Sequence, residues 1–292
     1  MPGRETIWQT QRRALRRAER KFRDGDTEGL HDFRVALRRL AVVAEAGERP
    51  KVARGAAKLV RRLSPLRQLE VDRELVAELA RFGAIAPPDA RAVDEILAER
   101  FRRGREEALE RLGGNSAKEL FARLGRDRAN GPVVSRLARE TGEKNVLRAP
   151  RVLDDEGLHR LRIAVKRRRY ALMARRDLGV PGLEGEISRW QTLQDSLGCA
   201  NDWRSLLRDL VRLLESRAGD SRAESPLDRI FDTASDRAEE ARRAARLAVA
   251  ASGLAQDPEP SLPLPASGRG AAVARGSTSL LRGETSRSRA DS

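Results

Sequence analysis

Apolar residues recur along the chain three or four positions apart, and β-branched runs are short. Read by this spacing, the sequence predicts helices near 4–23, 29–46, 51–64, 67–82, 89–112, 116–125 and 132–141. A second series follows near 155–177, 183–198, 200–217 and 226–252. The gaps hold helix-breaking residues: Gly25, Gly47 with Pro50, Pro65, Pro87 and Pro88, Gly113 and Gly114, Gly131 and Pro132, Gly179 with Pro181, and Pro226. Asp26 or Thr27 is placed to cap the second helix, and Asp154 the first helix of the second series. From about Gly253 the periodicity stops. Residues 256–292 carry Pro258, Pro260, Pro263 and Pro265 and then Ser, Gly and Arg, the composition of a disordered basic tail. The expected architecture is all-α: a helical domain over 1–252, with halves at about 1–145 and 146–252, and a tail over 253–292.

An internal repeat defines the halves. Residues 29–39, Gly-Leu-His-Asp-Phe-Arg-Val-Ala-Leu-Arg-Arg, align without a gap with 157–167, Gly-Leu-His-Arg-Leu-Arg-Ile-Ala-Val-Lys-Arg. A weaker match sets Leu63-Ser64-Pro65-Leu66-Arg67-Gln68 against Leu197-Gly198-Cys199-Ala200-Asn201-Asp202. Two halves of similar helical content follow, either packed together or arranged as a pseudo-twofold pair.

The repeated helix has two distinct faces. At about 100° per residue with His31 at zero, Arg38 falls near −20° and Arg34 near −60°. Leu30, Phe33, Leu37 and Leu40 form an apolar stripe between about 180° and 260°. In the second copy His159, Lys166, Arg162 and Arg169 span about 0° to −80°, with Leu158, Leu161, Val165 and Leu172 on the apolar side. Arg168 interrupts that stripe, and Tyr170, near +20°, borders the cationic face with a hydroxyl able to donate. A row of Arg on a helix is ordinarily a solvated face. Here no acidic residue falls in the cationic sector of either copy, so the usual i,i+4 pairing is missing. The chain's two histidines both lie on that row rather than on the apolar stripe.

Composition narrows the choice of partner. The 292 residues suit one large domain or two, and 39% hydrophobic content suffices for a core. Aromatics make up only 3%, against an aromatic-rich β-fold, and the one cysteine, Cys199, excludes a disulfide framework or a Cys-cluster zinc site. No apolar run approaches the ~18 residues of a membrane span and 1–21 lacks a secretory apolar core, so no membrane association and a cytosolic location are expected. With 59 Lys and Arg against 44 Asp and Glu, the net charge is +15, which favours a polyanionic partner. The cations are nearly all Arg, which a GC-rich coding sequence would also produce, so their placement has to decide.

At these residues the sequence resembles the CHAD domain, the conserved histidine α-helical domain. That family carries a His-x-x-Arg-x-x-x-[Arg/Lys]-Arg helix in each half, present as His31, Arg34, Arg38 and Arg39 and as His159, Arg162, Lys166 and Arg167. Arg162 to Leu172 resembles the family's longer second copy, and Leu193 to Asp202 its Leu-Gln-Asp-x-Leu-Gly-x-x-Asn-Asp element. The likeness spans roughly 5–250. The first copy departs at Ala41, where a cation is usual, and Ser64 and Gln68 replace the Gly and Asp of the first-half turn element.

The resemblance implies two pseudo-symmetric helical bundles around a basic central channel that binds inorganic polyphosphate, with association to polyphosphate granules. The Glu-x-Glu-x-Lys motif of the triphosphate-tunnel domain that often accompanies the family is absent, so a binding module without that hydrolase is expected. The site expected is His31, Arg34, Arg38, Arg39, His159, Arg162, Lys166, Arg167, Arg169 and Tyr170. Lys58, Arg61 and Arg62 of the third helix, and Arg12 and Arg16, are supplementary candidates weighed evenly against a solvated face. A phosphate chain needs closely spaced cations and no stacking platform. Arg supplies a two-pronged donor for phosphate oxygens, and Lys166 a point charge. A nucleic-acid binder is the stronger rival, though Trp8, Trp190 and Trp203 are expected to pack in helix interfaces and no recognition-helix or RNA signature occurs. A metal-dependent phosphohydrolase is the weaker one, because no His pair at ligand spacing and no Ser-His-Asp or Cys-His arrangement is present. No catalytic residue, metal or cofactor is expected, and Cys199, placed in a turn, is read as a packing residue.

Overall fold

In the computed structural model, which describes residues 6–113, 115–124, 131–141, 147–216 and 225–254, the chain forms helices α1 (Ile7–Asp24), α2 (Gly29–Ala46), α3 (Pro50–Arg62), α4 (Ser64–Arg81), α5 (Pro87–Gly113), α6 (Asn115–Leu124), α7 (Gly131–Thr141), α8 (Asp155–Asp177), α9 (Glu184–Glu215) and α10 (Pro226–Ala251). The fold is all-α. No helix among the described residues is long and apolar enough to cross a membrane. The expected tail falls, after Leu254, outside the described residues, as does the midpoint at 145 and 146.

Local chemistry sets the helix starts. Thr6 with Gln9 and Ser225 with Asp228 form reciprocal capping boxes at α1 and α10. The Asp154 side chain accepts from the Gly157 N–H at 2.7 Å, capping α8 as the sequence predicts. Asp26 instead accepts from the Glu28 N–H at 2.8 Å, ordering the approach to α2, whose N-cap is Glu28 and has no side-chain cap. Pro50, Pro65 and Pro226 occupy first-turn positions, where a missing N–H costs nothing.

The break expected between 198 and 200 does not exist. Helix α9 runs through Gly198 and Cys199, so Cys199 is an exposed mid-helix residue, not a turn residue. An interior Gly costs a helix only about 1 kcal/mol, and Leu197, Ala200 and Trp203 keep the inner face of α9 buried on either side of it. In the first half Pro65 stands where the second has Cys199. It cannot donate to the carbonyl one turn earlier, and the chain breaks at Leu63 into α3 and α4.

Two hydrophobic cores result. One gathers α1, α2, α3, α6, α7 and the Tyr170, Ala171 and Ala174 edge of α8, with Leu66 and Leu112 at its border. The other gathers α4, the first half of α5, the Leu158, Leu161, Val165 and Leu172 face of α8, and α9 and α10. Each core therefore draws on chain from both sides of residue 145. Leu30, Phe33, Leu37 and Leu40, the predicted stripe of α2, are all 1% exposed or less. Burial of such side chains contributes about 1.5–3 kcal/mol each. Arg168, the apparent flaw in the α8 stripe, donates to the Thr141 carbonyl at 3.0 Å and to Glu186 at 3.2 Å, and lies over the Trp190 ring. The two repeat glycines sit where backbones touch. A Cβ on Gly29 would lie 2.6 Å from the backbone of Lys21 and Phe22, and one on Gly157 2.1 Å from the Val152 carbonyl oxygen.

Candidate functional site

The cationic faces of α2 and α8 meet where the two cores adjoin. Arg34 projects from α2 and is only 7% exposed. Its Nη2 donates weakly to Ser64 Oγ at 3.4 Å, and its buried Nε has no partner among the described residues. Burial, then the charges of Arg38, Arg67 and Arg162, push its pKa down to about 9. Burial first and Arg38 next also lower Arg162, against the pull of Asp202, whose carboxylate is 3.7 Å away. Arg162 Nε is likewise buried and unpartnered among the described residues. Lys166, one turn on, is pushed down to about 6 by burial and then by Arg162, Arg38 and Arg34. Like charges on two helices are thus held together partly out of water, a condition that costs free energy until an anion arrives.

The histidines border this cluster differently. His159 Nδ1 is 3.1 Å from Asn201 Oδ1, and Asn201 Nδ2 donates to Asp202 at 3.2 Å. With that amide orientation His159 donates from Nδ1 and its Nε2 is the acceptor of the neutral ring. The chain His159, Asn201, Asp202, Arg162 ties the repeated helix to the Asn-Asp element of α9. His31 is exposed as a residue, and partial burial of the ring followed by the charge of Arg67 lowers its pKa. Arg67 is the group that sequence reasoning did not select, although the weaker repeat sets it opposite Asn201. It donates to Glu70 and Glu74, each at 3.0 Å, and stands beside both His31 and Arg34.

Other expected residues are engaged elsewhere. Arg39 of α2 pairs with Asp177 of α8, while Arg167 of α8 pairs with Glu45 of α2 at 2.9 Å. The last Arg of each motif is a strut between the two helices. Their positions, about 80° round the helix from their histidines, already set them apart from the cationic sector. Arg169 donates to the side-chain oxygens of Gln194, at 2.9 Å, and Gln191, and lies over the Tyr170 ring. Tyr170 is buried in the first core and near enough to Arg162 to affect its charge. Lys58, Arg61 and Arg62 are exposed on α3. Arg12 is half-buried, with an unpartnered Nε among the described residues, and Arg16 lies over the Phe121 ring. The tryptophans are core residues as expected, at 2–5% exposure.

The family model described as CHAD domain matches residues 6–206. Comparison with curated protein sequences finds no match. Among solved structures, PptA from Streptomyces chartreusis is similar, with a TM-score of 0.58 at 16% identity over 84% of this chain and 96% of that one. The crystal structure of the CHAD domain from the plant Ricinus communis is similar at TM-score 0.57 and 19% identity, over 84% of this chain and 89% of that one. At these identities the two structures speak to the fold alone, an all-helical one. The family match covers more than half of the sequence and contains both copies of the histidine helix, and so the chain belongs to the CHAD domain family.

Proposed function

We propose that this protein binds inorganic polyphosphate, without turning it over, in the cluster formed by Arg34 and Arg38 of α2 and Arg162 and Lys166 of α8. The observation that carries the reading is the crowding of these cations, with Arg34 buried, Arg38, Arg162 and Lys166 half-buried beside it, and the Nε of Arg34 and of Arg162 unpartnered among the described residues. Asp202 is the carboxylate set directly against Arg162, and Glu70 is already bonded to Arg67. A flexible chain with about one negative charge per phosphate supplies the missing countercharge to several such groups at once, and has no bases that would require aromatic partners. Arg34 and Arg162 each keep N–H donors for phosphate oxygens, with charge-assisted bonds the stronger kind. Attachment to polyphosphate granules follows from the same affinity.

The test compares the two sides of the cluster. Arg34→Ala/Arg38→Ala and Arg162→Ala/Lys166→Ala each remove two charge-assisted contacts, worth about 1.5–3 kcal/mol apiece. Each double variant should lose orders of magnitude in affinity for long-chain polyphosphate while keeping its helix content. Normal binding by the Arg34→Ala/Arg38→Ala protein would reduce the site to a one-sided patch on α8. Duplex DNA or RNA competing equally at equal phosphate concentration would favour a general nucleic-acid binder, and release of orthophosphate during incubation would show turnover.

A further inference from the structure

Helix α3 presents a second cationic surface apart from the buried cluster. Its 13 residues contain Lys51, Arg54, Lys58, Arg61 and Arg62 and no Asp or Glu. At about 100° per residue these five fall within a sector about 100° wide. All five are exposed, while Val52, Ala53, Ala56 and Leu59 on the opposite side are buried. None of the five has an ion-pair partner among the described residues. On other helices some exposed Arg side chains pair along their own helix, as Arg103 does with Glu99, Arg111 with Glu107, Arg123 with Glu119 and Arg237 with Glu240. The C-terminal end of α3 adjoins the cluster, because Ser64 follows Arg62 by two residues. Ser64 Oγ donates to the Val60 carbonyl in the last turn of α3 at 2.8 Å and accepts from Arg34 at 3.4 Å.

We infer that α3 extends the site, holding the part of an inorganic polyphosphate chain that runs beyond the buried cluster and so making the protein prefer long chains to short ones. The inference rests on the polyphosphate reading above. From Lys51 to Arg62 the strip is about 16 Å long at ~1.5 Å per residue. A tripolyphosphate seated in the cluster is too short to cover it as well. Exposed Lys and Arg suit this role, because they add affinity by releasing counterions along a backbone and need no fixed geometry. The buried groups would hold the chain and the strip would count its length.

The experiment titrates the full chain and its Lys51→Gln/Arg54→Gln/Lys58→Gln variant with tripolyphosphate and with long-chain polyphosphate over a range of salt. These side chains are exposed, so circular dichroism should match wild type. Three lost contacts at ~0.7 each lower the log–log salt slope for the long chain by about 2, a loss of about 100-fold at ~0.1 M salt relative to 1 M. Tripolyphosphate affinity should not change. Wild-type length preference in the variant, or an equal loss for both ligands, overturns the inference. So does a variant that loses duplex DNA binding and keeps polyphosphate, which assigns the strip to nucleic acid. The Arg34→Ala/Arg38→Ala protein keeps the two claims apart: if it loses tripolyphosphate, the buried site stands whatever the strip does. If wild type binds polyphosphate of no length, both fail.

Discussion

Lys166 offers the sharpest test of the buried cluster, because its charge depends on whether the ligand is present. In the empty site burial and the neighbouring Arg162, Arg38 and Arg34 hold it at about 6, with Asp202 opposing. At pH ~7.5 a group with a pKa of about 6 is only ~3% protonated. A phosphate chain lying against it restores a favourable environment for the ammonium and raises its pKa toward the ordinary 10.5. The complex then holds more protons than its parts, so binding takes up close to one proton at pH ~7.5. The sign follows directly: affinity rises as pH falls, by about tenfold per pH unit, and levels off near pH 6. Protonating the free lysine at pH ~7.5 costs about 2 kcal/mol, which is subtracted from the binding energy. His31, also held low, shifts in the same direction, so the wild type must be compared with Lys166→Gln. Calorimetric titration with long-chain polyphosphate in two buffers of different ionisation enthalpy reads the proton count. Zero uptake by wild type, or the same uptake in Lys166→Gln, would refute the argument.

Three further predictions concern stability. Asp72 is fully buried, accepts from Gln68 at 2.8 Å, and is pushed up to about 7 by burial first and then by nearby Asp209 and Asp202. Its folded pKa lies above the unfolded value of 3.8, so it costs stability progressively as pH rises from about 4 to 7. Asp72→Asn should flatten that dependence and stabilise the protein above pH 7, by up to about 4 kcal/mol, in urea titrations at several pH values. A variant with the wild-type pH profile would show that Asp72 is not the group responsible. Gly29→Ala forces α2 away from α1 and should cost about 1–3 kcal/mol. On α3, Gly55→Ala, whose added carbon would lie 3.4 Å from Leu120 Cδ1 of α6, should be neutral or stabilising by up to ~1 kcal/mol in the same urea titrations.

Much of this was legible because an amphipathic helix writes its own axis into the sequence. The stripes of α2 and α8, the Asp154 cap and the shared sector of Arg34, Arg38, Arg162 and Lys166 all follow from spacing alone. The sequence reports angles about one helix, however, and not which neighbour fills each sector. Hence Arg39 and Arg167 entered as site candidates although their acids, Asp177 and Glu45, lie on the opposite helix. Arg168 looked misplaced because its acceptor at Thr141 and its aromatic neighbour Trp190 come from α7 and α9. Gly198 reads as punctuation in isolation, and only the buried residues on either side carry α9 across it. Arg67 had a signal in its alignment with Asn201, but its nearness to His31 and Arg34 depends on where the first turn of α4 starts, with Ser64 against Arg34.

The path of the chain between the two cores has a consequence for synthesis. Helices α4 and α5 emerge early, yet Leu75, Val76, Leu79, Val93 and Leu97 are covered by α9 and α10, which end at Ala251. Translation at ~5–20 residues per second needs about 8–30 s to pass from Leu97 to Val249. During that interval the α4–α5 pair presents an apolar face with no native cover. The first core waits too, since it closes only when Tyr170, Ala171 and Ala174 arrive. A nascent chain of this design therefore closes its first core before its second, with its most exposed intermediate a helical hairpin that holdase chaperones are suited to shield.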